Sequence, residues 1–438
     1  MSLLGSVVHF VPSYLVAIAG YFGLNVFAAR LLGTGNFGYF AVVLTVTTLT
    51  GQQGLLGVHR AGLREASISE DPETLTQLRG GVRAVLLVPL PIASVLTGLG
   101  AWLWRAEDSA GVAVGAFAAA LTYCSGYGMV SASFLRGLGR IRSANLLSGR
   151  SGGAVVAVAQ TAGVGLVWML DPRSGLAGVL AGTTVGYVVP LLWAAWLLQR
   201  SWGHSQAPVG IWLHLRHVLR RDWRFAAGQA ASYLNSAVEL WIAGGLLSAQ
   251  ATSVFAAAQR VGRLLLIPTT ALQVVFSPAM ARLARREDRS DLEPLVRTGA
   301  TIATVLAAVV WVPLMVAPGL VLRVVFGADF SSAAAVAALM LLASRYFLNS
   351  VSGPSTPLLS MAHREGDVAV MNWLVLGARV CSGFVCAYLW GTVGLALSAF
   401  VWAGIGYAAS WWVARWRLSV RTDLTLRPSL SLLNKVSG

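Results

Sequence analysis

Apolar runs of membrane length alternate with short polar connections from one end of the chain to the other. Twelve runs stand out, at 8–32, 37–61, 82–104, 111–135, 148–169, 176–198, 225–247, 253–277, 297–317, 332–356, 368–390 and 394–416. Each approaches the ~20 residues with which an α-helix crosses the hydrocarbon core. Gly and Pro recur inside the runs, as packed membrane helices tolerate. Small-residue faces such as Gly111-Val112-Ala113-Val114-Gly115 suit close helix packing. The pattern predicts an all-α polytopic membrane protein with twelve transmembrane helices.

The stretch from Phe22 to Glu65 reads as a tight helical hairpin. One run ends at Ala29-Arg30-Leu31-Leu32-Gly33, the turn is Thr34-Gly35-Asn36, and Phe37-Gly38-Tyr39-Phe40 opens the next. Gly245 to Ala256 echoes Arg30 to Ala41 at an offset of about 215 residues, with Leu31, Leu32, Phe40 and Ala41 falling on Leu246, Leu247, Phe255 and Ala256. An offset near half the length marks a two-repeat membrane protein. With an even number of spans per half, the halves enter the membrane in one orientation. Two pseudo-twofold-related six-helix bundles around a central cavity are therefore expected, 1–198 and 225–416. Residues 199–224 read as a basic cytoplasmic linker and 417–438 as a cytoplasmic tail. Within the linker, Ile211, Leu215, Val218 and Leu219 recur at helical spacing among Arg216, Arg220 and Arg221. That spacing describes an interfacial amphipathic helix, the alternative being a plain basic linker.

Composition agrees with this class: 56% of residues are hydrophobic and 11% charged, where a soluble domain carries about 25% charged residues. The net charge of +15 does not point to nucleic acid, because the basic residues sit in clusters between apolar runs. Most of them fall on alternate connections, around Arg60–Arg83, Arg136–Arg150, Arg200–Arg224, Arg282–Arg297, Arg364 and Arg415–Lys435. The other connections hold only Arg30, Arg105, Arg173 and Arg323. The positive-inside rule then puts both termini in the cytoplasm. Cys124, Cys381 and Cys386 lie inside apolar runs without metal-ligand spacing and read as buried small hydrophobes. No basic n-region precedes the first run, which reads as a retained helix.

Four arginines are not accounted for by any connection: Arg260 and Arg263 in the eighth run, Arg345 in the tenth and Arg379 in the eleventh. A central Arg costs about 2.5–3.5 kcal/mol on insertion scales, so each needs a partner or a wet cavity. Glu239, in the seventh run, is the acid placed in the middle of a span. One reading is a water-filled basic cavity for an anionic substrate, phosphate being matched to the guanidinium fork. The other is a structural ion pair of Glu239 with Arg263, the remaining arginines capping carbonyls. One acid does not neutralise four bases, which favours the cavity. Glu239 and His59 are also candidates for ion or proton coupling, with Arg60 snorkelling beside His59. Asn25, Gln52 and Asn349 are polar groups for a sugar or for a neighbouring helix. No Walker A loop, HExxH or Gly-x-Ser-x-Gly is present, and no cofactor or metal is expected.

Several stretches resemble one family. Ala29-Arg30-Leu31-Leu32-Gly33-Thr34-Gly35-Asn36-Phe37-Gly38-Tyr39-Phe40 resembles the A-R-x-L-G-x-x-x-F-G-x-F turn of polysaccharide-transport proteins of the O-antigen flippase (Wzx) type. These belong to the multidrug/oligosaccharidyl-lipid/polysaccharide (MOP) exporter superfamily. Phe134-Leu135-Arg136-Gly137-Leu138-Gly139-Arg140 is similar to the family's L-R-G-x-G-R turn. Met361-Ala362-His363-Arg364 resembles its short basic turn, and Gly391-Thr392-Val393-Gly394-Leu395-Ala396 its G-x-x-G-A-A start of the last helix. Many relatives carry Asp where Glu239 stands, and the two further helices of the peptidoglycan-precursor branch are missing, which disfavours lipid II as cargo.

The resemblance implies alternating access and an isoprenoid-diphosphate-linked oligosaccharide as cargo, moved across a bacterial inner membrane for capsule, exopolysaccharide or O-antigen synthesis. A cationic cavity of Arg260, Arg263, Arg345 and Arg379 fits that implication. The implied partners are the lipid-linked oligosaccharide, membrane lipids, and the polysaccharide polymerase and glycosyltransferases of the same pathway. The alternatives are a cation-coupled multidrug exporter of the same superfamily, a membrane-embedded glycan polymerase or ligase, and a non-transporting scaffold.

Overall fold

In lipid every backbone N–H and C=O must be satisfied within its own segment, so apolar runs of this length fold as helices. The computed structural model describes residues 3–66, 72–107, 109–147, 153–202, 210–284, 291–362 and 364–425. All regular structure among them is helical. Arg150, His363 and Lys435, and within the basic clusters also Arg285, Arg286, Arg289 and Arg427, lie outside the described residues.

The elements are α1 Leu3–Gln53, α2 Val58–Ala66, α3 Pro72–Leu87, α4 Pro89–Trp104, α5 Gly111–Gly137, α6 Ile141–Leu147, α7 Ala154–Leu170, α8 Gly175–Ser201 and α9 Ile211–Leu246. They continue as α10 Ala249–Gly262, α11 Leu266–Ala284, α12 Leu292–Val316, α13 Pro318–Phe326, α14 Ala333–Ser352, α15 Ser355–Met361 and α16 Glu365–Leu418. Among the described residues, seven helices are long and apolar enough to cross a membrane. Two of those seven each hold two spans. A straight helix of the length of α1, 51 residues, would measure about 75 Å, far more than the ~30 Å core. Its helical backbone breaks at Gly33, with φ 60° and ψ −169°. α16 breaks at Gly391 (φ 58°), and Ser382 Oγ then meets Ser398 Oγ at 2.7 Å. In a straight helix those residues would lie about 24 Å apart. With α7, the second half of α9 and the α10–α11 pair, the spans number twelve.

The chain forms two compact units, Val8–Leu234 and Asn235–Gly438 with Met1–Val7. The division falls inside α9, ten residues past the end of the expected linker. There is no separate linker element over 211–224, because that stretch is the first part of α9. Leu215, Val218 and Asp222 are buried there while Trp212 and Leu213 are exposed. Val218 joins the core of the N-terminal unit with Phe134, Leu135 and Trp202. Of the four spaced apolar residues Leu215 and Val218 are buried, while Ile211 is half-buried and Leu219 exposed.

Two further expectations are corrected. The second run ends at Gln53, because the chain turns through Leu56 (φ 49°) and Gly57 (φ 84°) before α2. The expected connection 318–331 holds a nine-residue helix, α13, with Leu322 and Phe326 buried. In the described part of the expected tail, Val420–Thr425 lies against α12 and the end of α14. Thr422 Oγ1 donates to the Ser352 carbonyl (2.9 Å), Leu424 N to that of Val351 (3.2 Å), and Thr425 N to Thr301 Oγ1 (2.9 Å). Arg297 pairs with Asp423 at 3.6 Å.

The repeat is clearest in the backbone. Gly139 (φ 80°) precedes the seven-residue α6, and Gly353 (φ 71°), 214 positions later, precedes the seven-residue α15. Gly33 and Ser248, the N-cap of α10, mark the matching first turns. Exposed Trp and Tyr gather at helix ends: Trp104, Trp168 and Trp390 at one set, Trp196, Trp412 and Trp416 at the other. Such belts belong at the membrane interfaces. Arg200 and Arg417 stack over Trp196 and Trp416 at 4.1 and 4.3 Å.

Candidate functional site

Four spans of the C-terminal unit bring their charged residues together. Glu239 sits on α9 with Asn235 one turn earlier, so both project from one face. Arg345 is on α14 and Arg379 on the first half of α16. Glu239 Oε1 accepts from Arg345 Nη1 at 3.1 Å and also from Arg379 Nη2. Arg379 Nη1 donates to Asn235 Oδ1 (2.9 Å), whose Nδ2 donates to the Asn372 carbonyl (2.9 Å). The cluster is closed to solvent: Glu239 is 2% exposed, Arg345 7% and Arg379 4%.

Arg263 approaches from an irregular place on the eighth span. Pro268 has no N–H and its ring crowds the carbonyl four residues back, at Leu264. The helix tightens there into a 3-10 turn over Arg263–Leu265, a local irregularity common at hinges. From that turn Arg263 Nε reaches the Tyr346 hydroxyl (3.4 Å) and Nη2 donates to the Ser236 carbonyl. Arg345 lies against the Tyr346 ring, 5.3 Å from its centroid, and against the Tyr407 hydroxyl. Arg260 is buried one turn earlier on α10.

Glu239 is therefore ion-paired, but with Arg345 and Arg379 and not with Arg263, the partner expected from neighbouring spans. Arg263 directly follows the buried part of α10, which ends at Gly262, and is reached there by neutral oxygens. Arg345 and Arg379 are closed off within this network, whereas Arg263 is partly exposed. A cleft in this unit is lined by Thr269, Leu272, Phe276, Val296, Ala300 and Gly353 among others. Asn349 is half-buried on α14 and offers its carbonyl to Ser352 Oγ (3.2 Å).

The other candidates belong to the N-terminal unit. Gln52 Nε2 and His59 Nε2 approach to 3.4 Å across the Leu56–Gly57 turn. Both are buried, and the Tyr233 hydroxyl bonds Gln52. Asn25 is fully buried and donates to the Tyr21 carbonyl of its own helix (2.7 Å). Sequence reasoning missed Asn235, Tyr346, Tyr407 and Tyr233. Asn235 carried a signal, four residues before Glu239 on an apolar span. The tyrosines carried none, because an aromatic in a membrane run reads as packing.

No family model and no curated protein matches the chain. Solved structures do. A lipid II flippase, MurJ, in an inward closed conformation has a TM-score of 0.68 at 14% identity, over 97% of this chain and 90% of its own. A MATE multidrug transporter, DinF-BH, gives 0.63 at 15%, over 97% and 96%. An inward-facing multidrug resistance MATE transporter of the MOP superfamily gives 0.58 at 17%, over 96% and 95%. At these identities the likeness is one of fold, and the fold is that of the twelve-helix transporters.

Proposed function

We propose that the chain is a flippase for an isoprenoid-diphosphate-linked oligosaccharide in the bacterial inner membrane, working by alternating access. The observation that carries this reading is the charge of the C-terminal core. Three guanidiniums, those of Arg263, Arg345 and Arg379, share one network with one carboxylate, Glu239. An excess of buried positive charge is costly in a membrane span unless an anion comes to it. Guanidinium forks suit the oxygens of a diphosphate. Arg260, buried on the same helix as the approach to Arg263, extends the basic stretch. Asn25, Gln52 and His59 in the N-terminal unit and Asn349 in the C-terminal unit are the polar candidates for contacts with the sugar.

Both termini face the cytoplasm, as the clustered arginines require, and the cargo moves outward toward a polymerase. With the membrane negative inside, outward movement of a negative headgroup gains ~2.3 kcal/mol per charge per 100 mV. The assembled glycan goes to capsule, exopolysaccharide or O-antigen, and glycosyltransferases of that pathway supply the cargo.

The second reading is a cation-coupled multidrug exporter, favoured by Glu239 in the seventh span. Such a carrier needs an acid available to a cation. Glu239 is held by two guanidiniums, so the flippase reading is preferred. Complementation of a strain lacking a polysaccharide flippase separates the two. The flippase reading expects rescue by the wild type and loss of rescue in Arg345→Ala and Arg379→Ala at matched expression. Drug resistance without rescue would replace it with the exporter.

A further inference from the structure

Glu239 holds its two arginines with a single oxygen. Oε1 accepts from both guanidiniums, while Oε2 is buried with no hydrogen-bond partner. The Nε–H groups of Arg345 and Arg379 are buried and unused as well. All three side chains are more than nine-tenths buried. A permanent carboxylate–arginine pair is commonly bidentate, with the Nε–Nη edge donating two parallel bonds. Here that edge is vacant on both arginines. The network is thus incomplete on both sides: two donors lack an acceptor, and one acceptor oxygen lacks a donor.

The shortfall has a definite chemistry. What is missing is an anion with more oxygens and more charge than one carboxylate. Arg263 adds to the demand, since its contacts are a carbonyl and a phenol hydroxyl, both neutral. A buried guanidinium without any counter-ion would be far costlier than one held end-on. The resting protein therefore needs some anion of its own in this position.

We propose that Glu239 is a resident counter-anion, occupying the Arg345–Arg379 pair until a phosphate of the cargo displaces it. This deepens the flippase reading and rests on it. The phosphate takes over the Nη contacts of Oε1 and fills the vacant Nε edges. Glu239 keeps the site closed and paired when it is empty. On the far side, the returning carboxylate competes the phosphate off, so tight capture does not become a trap. Glu239 acts here as a positioning residue that sets affinity through two arginines.

The test uses full-length protein in nanodiscs of zwitterionic lipid, titrated with inorganic pyrophosphate and read by the thermal-shift midpoint. Glu239→Gln should half-saturate at about tenfold lower pyrophosphate than the wild type, and Arg379→Gln at about tenfold higher. If Glu239→Gln does not fold, Arg345→Gln is compared with Arg345→Gln/Glu239→Gln. The single variant leaves Glu239 to neutralise Arg379 and should bind poorly, and the double should recover binding about tenfold. An unchanged midpoint on loss of Glu239, with Arg379→Gln still weakened, overturns the resident anion and leaves the anion site standing. Indifference of every protein to pyrophosphate, arginine variants included, overturns both.

Discussion

Asn25 lies eight residues before the first turn of the N-terminal half, at Gly33, and Glu239 nine residues before the matching turn at Ser248. Ser131 and Arg345 each lie eight residues before the positive-φ glycines Gly139 and Gly353. Thr48 and Arg263 each lie fifteen residues after the first turns. One half thus carries Asn, Ser and Thr where the other carries Glu, Arg and Arg. The neutral residues bond locally: Asn25 to the Tyr21 carbonyl, Thr48 Oγ1 to that of Leu44. The charged ones bond across helices, joining α9, α14 and α16. A small polar group in a span is satisfied by its own helix, and a long charged one is not. At these matched positions the N-terminal residues make only local bonds, whereas the C-terminal core is joined through them.

The sharpest way to break this comparison is to remove the hub of the charged core. Glu239→Ala leaves Arg345 and Arg379 buried and facing each other, and should cost about 3–5 kcal/mol. Asn25→Ala removes one local bond and should cost about 1 kcal/mol. Thermal unfolding of the two variants under one condition checks the ratio, and equal losses would break the account.

A smaller effect separates the two repeat glycines. Gly139→Ala bears only the cost of a left-handed backbone, about 1–2 kcal/mol, because nothing lies where its Cβ would go. Gly353→Ala bears that cost and also drives a methyl into the Thr422 carbonyl. It should lose more stability than Gly139→Ala and loosen the Val420–Thr425 segment, as read by amide exchange at Thr422 and Leu424. The smallest effect belongs to the rim of that segment. Asp423→Asn removes a partly exposed pair with Arg297, worth about 0.5–1 kcal/mol and less in high salt. Its melting difference from the wild type should shrink when salt is raised.

Much of this was legible in the sequence, for identifiable reasons. Hydropathy marks where helices must cross, so the twelve spans follow from run length. The repeat showed faintly in Gly245–Ala256, because leucines and alanines recur by composition alone. The firmer marks, Gly139 with Gly353 and Gly175 with Gly391, are backbone conformations that the letters do not report. Arg345, Arg379 and Glu239 were conspicuous because charge is expensive in a span. Their pairing was not, since adjacency in sequence suggested Arg263, while helix packing brought α14 and α16 to Glu239. Pro268 could have warned that the helix tightens at Arg263 and re-aims it. The ordered tail segment had little signal, as Leu424 is held by a backbone bond that almost any residue can make and Thr422 by a single hydroxyl.

The central claim is that the arginine core receives a diphosphate. Its most direct test is transbilayer movement of a polyprenyl-diphosphate oligosaccharide in proteoliposomes, comparing the wild type with Arg345→Gln/Arg379→Gln and with a cargo whose headgroup is uncharged. The account predicts movement of the charged cargo by the wild type, and loss of that movement in the double variant or with the uncharged headgroup. Movement by the double variant at the wild-type rate would contradict it.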